Sequence, residues 1–349
     1  MHSRLTATFA FSAAAAVISL AGCSGSSTPA GSQLPSSLQS IAHAARPPLG
    51  SRAAVQTLLI APGAHPTAHF PPTVNPLAGS EYVLFCGAVL FDCGVVNTSG
   101  TEVGSVTTSL DEPQGTTVDA EGNWLIANTE DNNVPIYTIT DSGGPVLSTT
   151  ISDPKEYPAD VAVFDKGKKT VKATTAISNI IADPNGNGSI LVIKPTGKTK
   201  VLTDFLAARG IGITFDAAGD CYWSYETSGG ASNIVEFKKC AGSAITAVNN
   251  IGYAGGLAFD GSGNLWYASQ LKGIYHCTSG TTGCSLAFSG FADALFIAFD
   301  STFTNLYVAD PENNVIDQCP VAGNSCTTFY TGTSGDEIVG VAVTPEAIP

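Results

Sequence analysis

From about residue 80 onward, apolar and polar residues alternate with a period of two in many short segments, which is the pattern of half-buried β-strands. One unit recurs. It consists of a small residue, alternating apolar residues, Asp, a Gly-containing turn with Asn or Asp, and a strand of apolar and aromatic residues. The four clear copies of the unit occupy residues 115–127, 212–224, 256–268 and 296–309. A degenerate copy lies at 160–165, with a one-residue ambiguity in register, and a sixth copy at 340–344 ends close to the last residue.

The aspartates of these copies, or the residues equivalent to them, recur every 40–51 positions, at 119, near 165, and at 216, 260, 300 and 344. This period fits one four-stranded antiparallel sheet with its turns, the blade of a β-propeller. The sixth copy supplies only an innermost strand. Residues 81–87, 94–100 and 101–110 are expected to supply the second, third and fourth strands of that blade. The sequence therefore predicts an all-β protein, a six-bladed propeller whose last blade is closed by both termini. A five-bladed ring with loose ends is the alternative.

The segments 127–133 and 309–314 resemble the turn that follows the second strand of an NHL repeat. Residues 80–349 as a whole resemble the NHL-repeat and gluconolactonase-like class of six-bladed propellers. Gluconolactonase-like enzymes bind a divalent metal through acidic and amide side chains at the start of the inner strands. The resemblance places these positions near the following residues: Gln114, Asp160, Ile211, Gly255, Leu295 and Val339.

The N-terminal segment is typical of an export signal. Arg4 precedes an apolar run from residue 5 to residue 20, which is short for a membrane span. The run ends in Leu20, Ala21, Gly22 and Cys23, which resemble the lipobox of bacterial lipoproteins. The resemblance implies a signal peptide over residues 1–22 and a lipid anchor on Cys23. An ordinary secretory signal with an incidental cysteine is the alternative.

The charge distribution separates a tether from the body of the protein. Residues 23–79 contain no acidic residue and are rich in Ser, Pro, Ala and Gly, so we expect a disordered tether. The propeller, residues 80–349, carries all 29 acidic residues and 12 of the 15 basic ones. This excess of negative charge argues against a nucleic-acid partner, because phosphate would be repelled.

Eight cysteines follow Cys23 and are expected to form four disulfides in an exported chain. Three pairs are seven residues apart, which suits hairpins: Cys86 with Cys93, Cys277 with Cys284, and Cys319 with Cys326. Cys221 is the expected mate of Cys240. A metal site formed by these cysteines is the disfavoured alternative, since no Cys-x-x-Cys spacing occurs.

The sequence contains no complete catalytic motif that we recognise. His276 is the only histidine of the predicted propeller, and it falls on a third strand, away from the axis. Of the six positions equivalent to the lactonase metal ligands, only Gln114 and Asp160 offer oxygen. Asp183, Asn185 and Asn187 match the first half of an EF-hand loop, but Lys194 stands where a bidentate Glu is required. A polar hairpin turn is the simpler interpretation of that segment.

Acidic side chains are expected to gather where the chain enters the innermost strands and leaves the second strands, because these loops share one face of a propeller. The first set of loops contributes Glu112, Glu156, Asp160, Asp293, Asp336 and Glu337. The second set contributes Glu130, Asp131, Glu226, Asp310 and Glu312, and the basic residues at this face are Arg209 and Lys272. Converging carboxylates favour a bound cation, so Ca²⁺ or a cationic partner is predicted here, with a merely solvated acidic rim as the alternative.

Taken together, these features predict a monomeric, lipid-anchored binding or scaffolding module at the cell envelope, on the periplasmic or extracellular side of a membrane. A divalent-metal-dependent hydrolase or lactonase is the alternative function.

Overall fold

The computed structural model describes residues 81–106, 110–140, 144–154, 157–165, 173–181 and 187–345. These residues form six four-stranded antiparallel sheets. The innermost strands of all six sheets surround one cavity, so the sheets are the blades of a six-bladed β-propeller, as the repeat predicts. The helices in the described ranges are single 3-10 turns, at Lys238–Cys240, Gln270–Lys272 and Pro311–Asn313. None of these helices is long and apolar enough to cross a membrane.

We number the blades in chain order and give the strands of each from the innermost to the outermost. Blade 1 consists of β24 (Ile338–Thr344), β1 (Tyr82–Gly87), β2 (Cys93–Asn97) and β3 (Glu102–Val106). Blade 2 consists of β4 (Pro113–Val118), β5 (Asn123–Asn128), β6 (Asn133–Ile139) and β7 (Pro145–Ser152). Blade 3 consists of β8 (Pro158–Phe164), β9 (Thr174–Asn179), β10 (Ser189–Ile193) and β11 (Thr199–Leu202).

The second half of the ring is built in the same way. Blade 4 consists of β12 (Ala207–Phe215), β13 (Cys221–Thr227), β14 (Ser232–Phe237) and β15 (Ile245–Val248). Blade 5 consists of β16 (Ala254–Phe259), β17 (Leu265–Ser269), β18 (Gly273–Ser279) and β19 (Thr282–Phe288). Blade 6 consists of β20 (Ile297–Phe299), β21 (Asn305–Asp310), β22 (Val315–Pro320) and β23 (Thr327–Thr331).

The repeated Asp organises the turn between the first two strands of a blade. In blade 2, Asp119 Oδ1 accepts hydrogen bonds from the backbone N–H groups of Glu121 and Asn123, at 2.9 and 2.8 Å. Gly122 completes the turn with a φ of 81°, a conformation that glycine adopts without steric cost. Equivalent aspartates accept backbone N–H bonds in three other blades, at Asp216, Asp260 and Asp300.

The first blade is closed by both ends of the described chain, as predicted. β1 pairs with β2 on one side and with β24 on the other, with Tyr82 opposite Thr344. The last strand of the chain thereby becomes the innermost strand of the blade that the first three strands begin. Closure pairs the strand edges that an open ring would expose.

The four predicted disulfides are confirmed. Three of them bracket turns between neighbouring strands and join cysteines seven residues apart: Cys86–Cys93, Cys277–Cys284 and Cys319–Cys326. The fourth, Cys221–Cys240, links the start of β13 to the turn after β14.

The core lies between adjacent blades, where large side chains pack face to face. Trp223 is fully buried, and its indole N–H donates to Ser178 Oγ of the preceding blade at 2.9 Å. Trp124 and Trp266 occupy second strands of other blades and are buried as well. These indoles therefore stabilise the ring and are not exposed for stacking on a ligand.

Candidate functional site

The ring has two different ends. We call one the loop face, where the chain enters each innermost strand and where second strands lead to third strands. The other is the hairpin face, where innermost strands turn into second strands. Glu81, just before β1, lies at the hairpin face, because Tyr82 is paired with Thr344 at the end of β24 and Asp300 of a hairpin turn acts on Glu81 electrostatically. The part of the chain that precedes residue 81 therefore joins the propeller at the hairpin face.

Three carboxylates converge on the loop face of blade 2, and we call them the blade-2 acidic cluster: Asp111, Glu112 and Glu130. The backbone N–H of Glu130 donates to the carbonyl of Asp111 at 3.1 Å, which holds the two loops together. Burial, with the negative charges of Glu130 and Asp111, raises the pKa of Glu112 to about 7. Glu112 Oε1 is buried and accepts no hydrogen bond from the described residues. The cluster thus contains an acid with one buried oxygen that has no donor in this part of the chain.

A second group of carboxylates, the blade-1 acidic cluster, combines loops of blades 6 and 1: Asp92, Glu312, Asp336 and Glu337. Asp336 Oδ1 accepts the backbone N–H groups of Val89 and Leu90, at 3.1 and 2.9 Å. Burial and the neighbouring Asp336 raise the pKa of Asp92 to about 6. Burial, with the charges of Glu312 and Asp336, also raises the pKa of Glu337.

A shallow depression of about 360 Å³ lies within the blade-1 acidic cluster, lined by Glu312, Asn314, Asp336 and Glu337 with Pro311 and Gly335. Glu337 Oε2 is buried there and accepts no hydrogen bond within the described ranges. Both clusters therefore contain a buried carboxylate oxygen for which the described residues provide no donor. Near-surface acids arranged in this way are stabilised by a cation or a hydrogen-bond donor from outside the chain.

Several residues predicted for the ligand face lie elsewhere or are already paired. Asp293 and Asp310 are both fully buried, and the Asp310 carboxylate accepts the backbone N–H groups of Ala292 and Asp293. Asp310 is therefore an internal cap of the loop that leads into blade 6. Arg209 lies within β12 and pairs with Glu226 at 3.8 Å, so neither is an independent charge.

The remaining predicted residues of this face lie on exposed or half-buried loops or outside the described ranges. Asp131 is exposed, and its Oδ2 accepts a hydrogen bond from Asn128 Nδ2 at 2.9 Å. Lys272 ends the 3-10 turn of blade 5. Glu156 lies outside the described residues.

Asp160 is the largest departure from the predicted face. It lies within β8 rather than in the loop before it, and its side chain is enclosed by the ring. Asp160 Oδ1 accepts the N–H of Val161 and Oδ2 accepts the N–H of Ile213 in the next blade, both at 2.9 Å. Burial raises the pKa of this carboxyl well above its ordinary value.

Close packing of glycines narrows the axis of the ring near Asp160. A Cβ at Gly340 would lie 2.1 Å from the Gln114 carbonyl oxygen, and one at Gly212 would lie 2.5 Å from the Gly255 carbonyl oxygen. At Gly115 a Cβ would meet Asp160 Oδ1 at 2.3 Å. The inner strands thus touch backbone to backbone at this level, where no larger residue fits.

Beyond this constriction, an axial cavity of about 500 Å³ extends to the hairpin face. All six innermost strands line it, from the level of Asp160 to the hairpin residues Asp165 and Asp216. The cavity therefore opens at the end opposite to the two acidic clusters.

The metal-ligand set of the gluconolactonase-like resemblance does not fit these residues. Four of the six equivalent positions, Ile211, Gly255, Leu295 and Val339, have no side-chain donor, and all four are packed in the core. Gln114 is fully buried, and each oxygen of Asp160 already accepts one backbone N–H bond, so these two side chains alone do not make a coordination shell. Because the donors needed around a divalent ion are missing, we derive no metal-dependent hydrolysis at the axis.

Two other groups of residues offer oxygen atoms that a metal ion could use. Of the EF-hand-like residues, Asp183 and Asn185 lie outside the described ranges, and Asn187 is exposed. Within the described chain, one trio of carboxylates has ligand atoms within 4.8 Å of one another: Asp216, Asp220 and Glu236. The Lys238 ammonium hydrogen-bonds to Asp220 and Glu236, so a basic side chain of the chain already occupies this position.

Sequence reasoning missed Asp92 and Asp111 as members of the acidic clusters. Asp92 lies between β1 and β2, a second-to-third-strand connection that is hard to recognise because blade 1 is assembled from both ends of the chain. Asp111 directly precedes Glu112, which was predicted, so it could have been found from its position alone.

No protein-family model and no curated protein matches the chain. Solved structures do match it. A chain of a nidogen/laminin complex is 16% identical with a TM-score of 0.60, and the match covers 76% of this chain and 99% of that one. TolB from Acinetobacter baumannii is 13% identical with a TM-score of 0.56, over 78% of this chain and 68% of that one. A protein of unknown function from Desulfotomaculum acetoxidans is 12% identical with a TM-score of 0.54, over 77% of this chain and 99% of that one. At these identities the likeness supports the propeller fold alone.

Proposed function

We propose that this protein is an exported, lipid-anchored propeller of the NHL-like class. In this proposal it acts as a binding module at the cell envelope and takes a basic segment of a partner protein on its loop face. The observation that carries the proposal is the pair of acidic clusters, in which carboxylates from separate loops lie close enough to raise the pKa of Glu112 and Glu337. A partner carrying several ammonium or guanidinium groups would offset this concentration of negative charge.

A basic segment fits this face better than one metal ion does. In the described chain, three carboxylates with ligand atoms within 4.8 Å of one another occur only at Asp216, Asp220 and Glu236, which are not on this face. The loop-face carboxylates instead form two clusters on different blades. Charges spread along a polypeptide can reach both clusters, whereas one ion would be coordinated by one of them.

The proposed anchor is compatible with this role. In the proposal, the segment that precedes residue 81 carries a lipid on Cys23 and forms a tether to the propeller. A tether of this length has a root-mean-square span of roughly 40 Å if it is a flexible coil. Such a tether leaves the propeller free to turn, so its acidic clusters could reach soluble or surface-bound partners.

The test measures binding of a fluorescent octalysine peptide by anisotropy at low salt. Glu112→Gln with Glu337→Gln removes the two carboxylates that hold the unpartnered oxygens. We expect affinity to fall about fivefold to tenfold, the loss typical of two partly exposed charge pairs. The matched control, Glu121→Gln with Glu81→Gln, removes two carboxylates at the hairpin face and should bind as the parent does, with both double variants compared at about pH 8.5, where Glu112 is ionised.

Two outcomes would contradict the proposal. Equal affinities for both double variants would mean that the peptide responds only to net charge. The other outcome is a melting temperature that rises more with CaCl₂ than with NaCl of equal ionic strength, and that no longer does so in Glu112→Gln with Glu337→Gln. This result would identify the ligand of this face as the calcium ion rather than a basic partner.

A further inference from the structure

The axial cavity has the size of a ligand site and lies at the end of the ring that the proposed function does not use. Its volume of about 500 Å³ falls within the range of roughly 300–1,000 Å³ found for small-molecule pockets. The six innermost strands form its walls, and each is hydrogen-bonded to the second strand of its own blade. Because the closed ring of blades holds these strands in place, the cavity is preformed.

The described residues that line this cavity contain acids but no Lys, Arg or His. Asp160 lies at its closed end, and Asp165 and Asp216 lie at its mouth. A cation that enters from the hairpin face would therefore meet carboxylates at both ends of its path. An anion would be repelled at the mouth and again at the closed end.

Asp160 is a buried carboxylate with room for another partner. It accepts two backbone N–H bonds, one at each oxygen, while a carboxylate has about four acceptor positions. Burial raises its pKa, and no basic side chain acts on it electrostatically. A buried charge of this kind is stabilised most by a paired cation.

The lining also contains an apolar part that suits a hydrocarbon chain. Five phenylalanines contribute to it: Phe164, Phe215, Phe259, Phe296 and Phe299. Phe164 and Phe215, from neighbouring blades, stack with ring centroids 5.5 Å apart. Aromatic rings accommodate both alkyl groups and ammonium ions, the latter through their negative faces.

We propose that the axial cavity is a ligand site, open on the hairpin face, for a small alkylammonium ion. Its nitrogen pairs with Asp160, and its hydrocarbon part packs among the phenylalanines. This site is separate from the loop face, and a ligand bound in it does not depend on the acidic clusters.

Titration calorimetry with three six-carbon probes tests the charge requirement: hexylammonium, hexanol and hexanoate. We expect hexylammonium to bind the parent protein one to one, hexanol to bind at least about tenfold more weakly, and hexanoate not to bind. Asp160→Asn should weaken hexylammonium about tenfold or more and leave hexanol unchanged. Asp317→Asn, which removes a charge on an outer strand, is the matched control and should bind as the parent does.

A second variant tests the location without altering Asp160, whose carboxylate also holds the N–H of Ile213. Ala298 lines the cavity and is partly exposed in it, so Ala298→Phe should fill the space and abolish binding of hexylammonium and hexanol alike. The proposal is overturned if hexylammonium shows no binding to the parent at a concentration of about 10 mM. A dissociation constant above this value would be too weak for a ligand site of this size. The proposal is also overturned if Ala298→Phe binds normally, or if Glu112→Gln with Glu337→Gln removes the binding.

Discussion

At the scale of one residue, the buried Glu112 of the loop face lowers the free energy of unfolding when it is ionised. Its pKa rises from an ordinary 4.5 to about 7 because it is buried beside Glu130 and Asp111. The folded protein therefore holds a proton that the unfolded chain releases between these two pH values. The contribution of Glu112 to the free energy of unfolding should consequently fall as the pH rises from about 4.5 to about 7.

The melting temperature of Glu112→Gln, compared with that of the parent at two pH values, tests whether the ionised Glu112 is destabilising. Glutamine resembles the protonated acid, so the substitution should raise the melting temperature at about pH 8 and change it little at about pH 4, where the parent is protonated in both states. Thermal denaturation at the two pH values measures the effect, with Glu121→Gln on the hairpin face as the control. An equal effect at both pH values would show that the Glu112 charge is not destabilising.

Single residues also show where prediction from sequence ends. Glu112 and Glu337 lie on the predicted face, since their loops follow directly from the repeat. Asp310 ends β21 at the same face but is buried, because it caps the N–H groups of residues 292 and 293, and this role depends on the tertiary path of a loop. Asp160 was misplaced because blade 3 is the degenerate copy, in which a shift of one residue moves a side chain from a loop into the ring.

At the scale of elements, the strands of the repeat could be predicted because alternation and turn chemistry are local properties. The second strand of blade 1 was expected over 81–87 and is Tyr82–Gly87. The fourth strand was expected over 101–110, but it is assigned as Glu102–Val106. The four cysteine pairs also followed from spacing and strand position. The two acids that the sequence does not predict for the clusters, Asp92 and Asp111, lie just before β2 and β4. The pattern of alternation defines the ends of these strands only to within a few residues.

β24 is the element on which closure of the ring depends. Removing residues 336–349 deletes the innermost strand of blade 1 and leaves β1 without its partner on that side. We expect the truncated protein to lose its cooperative thermal transition, because blades 6, 1 and 2 can no longer pack into a closed ring. Calorimetry of the oxidised protein, with its four disulfides intact, measures this. A truncated chain that melts as cooperatively and at the same temperature as the parent would contradict the closure.

At the scale of the whole molecule, the proposed membrane location of the protein depends on Cys23, which lies outside the described residues. Cys23→Ala should release the protein from membranes into a soluble fraction, since the lipid chains are the expected anchor. Membrane fractionation with immunodetection checks this outcome, and Cys277→Ala with Cys284→Ala serves as a control that removes cysteines without touching the anchor. Retention of Cys23→Ala in membranes after a high-salt wash would refute the anchor.

Proton release on binding is the strongest test of the proposal that the loop face takes a basic partner. At about pH 6.5 Glu112 and Asp92 are partly protonated, and a bound cation should drive out these protons by stabilising the carboxylates. Calorimetry of octalysine binding in buffers of different ionisation enthalpy measures the number of protons released. We expect the parent protein to release of the order of one proton, and most of this release to disappear in Glu112→Gln with Glu337→Gln. Octalysine binding without proton release, or with the same release by parent and double variant, would contradict it.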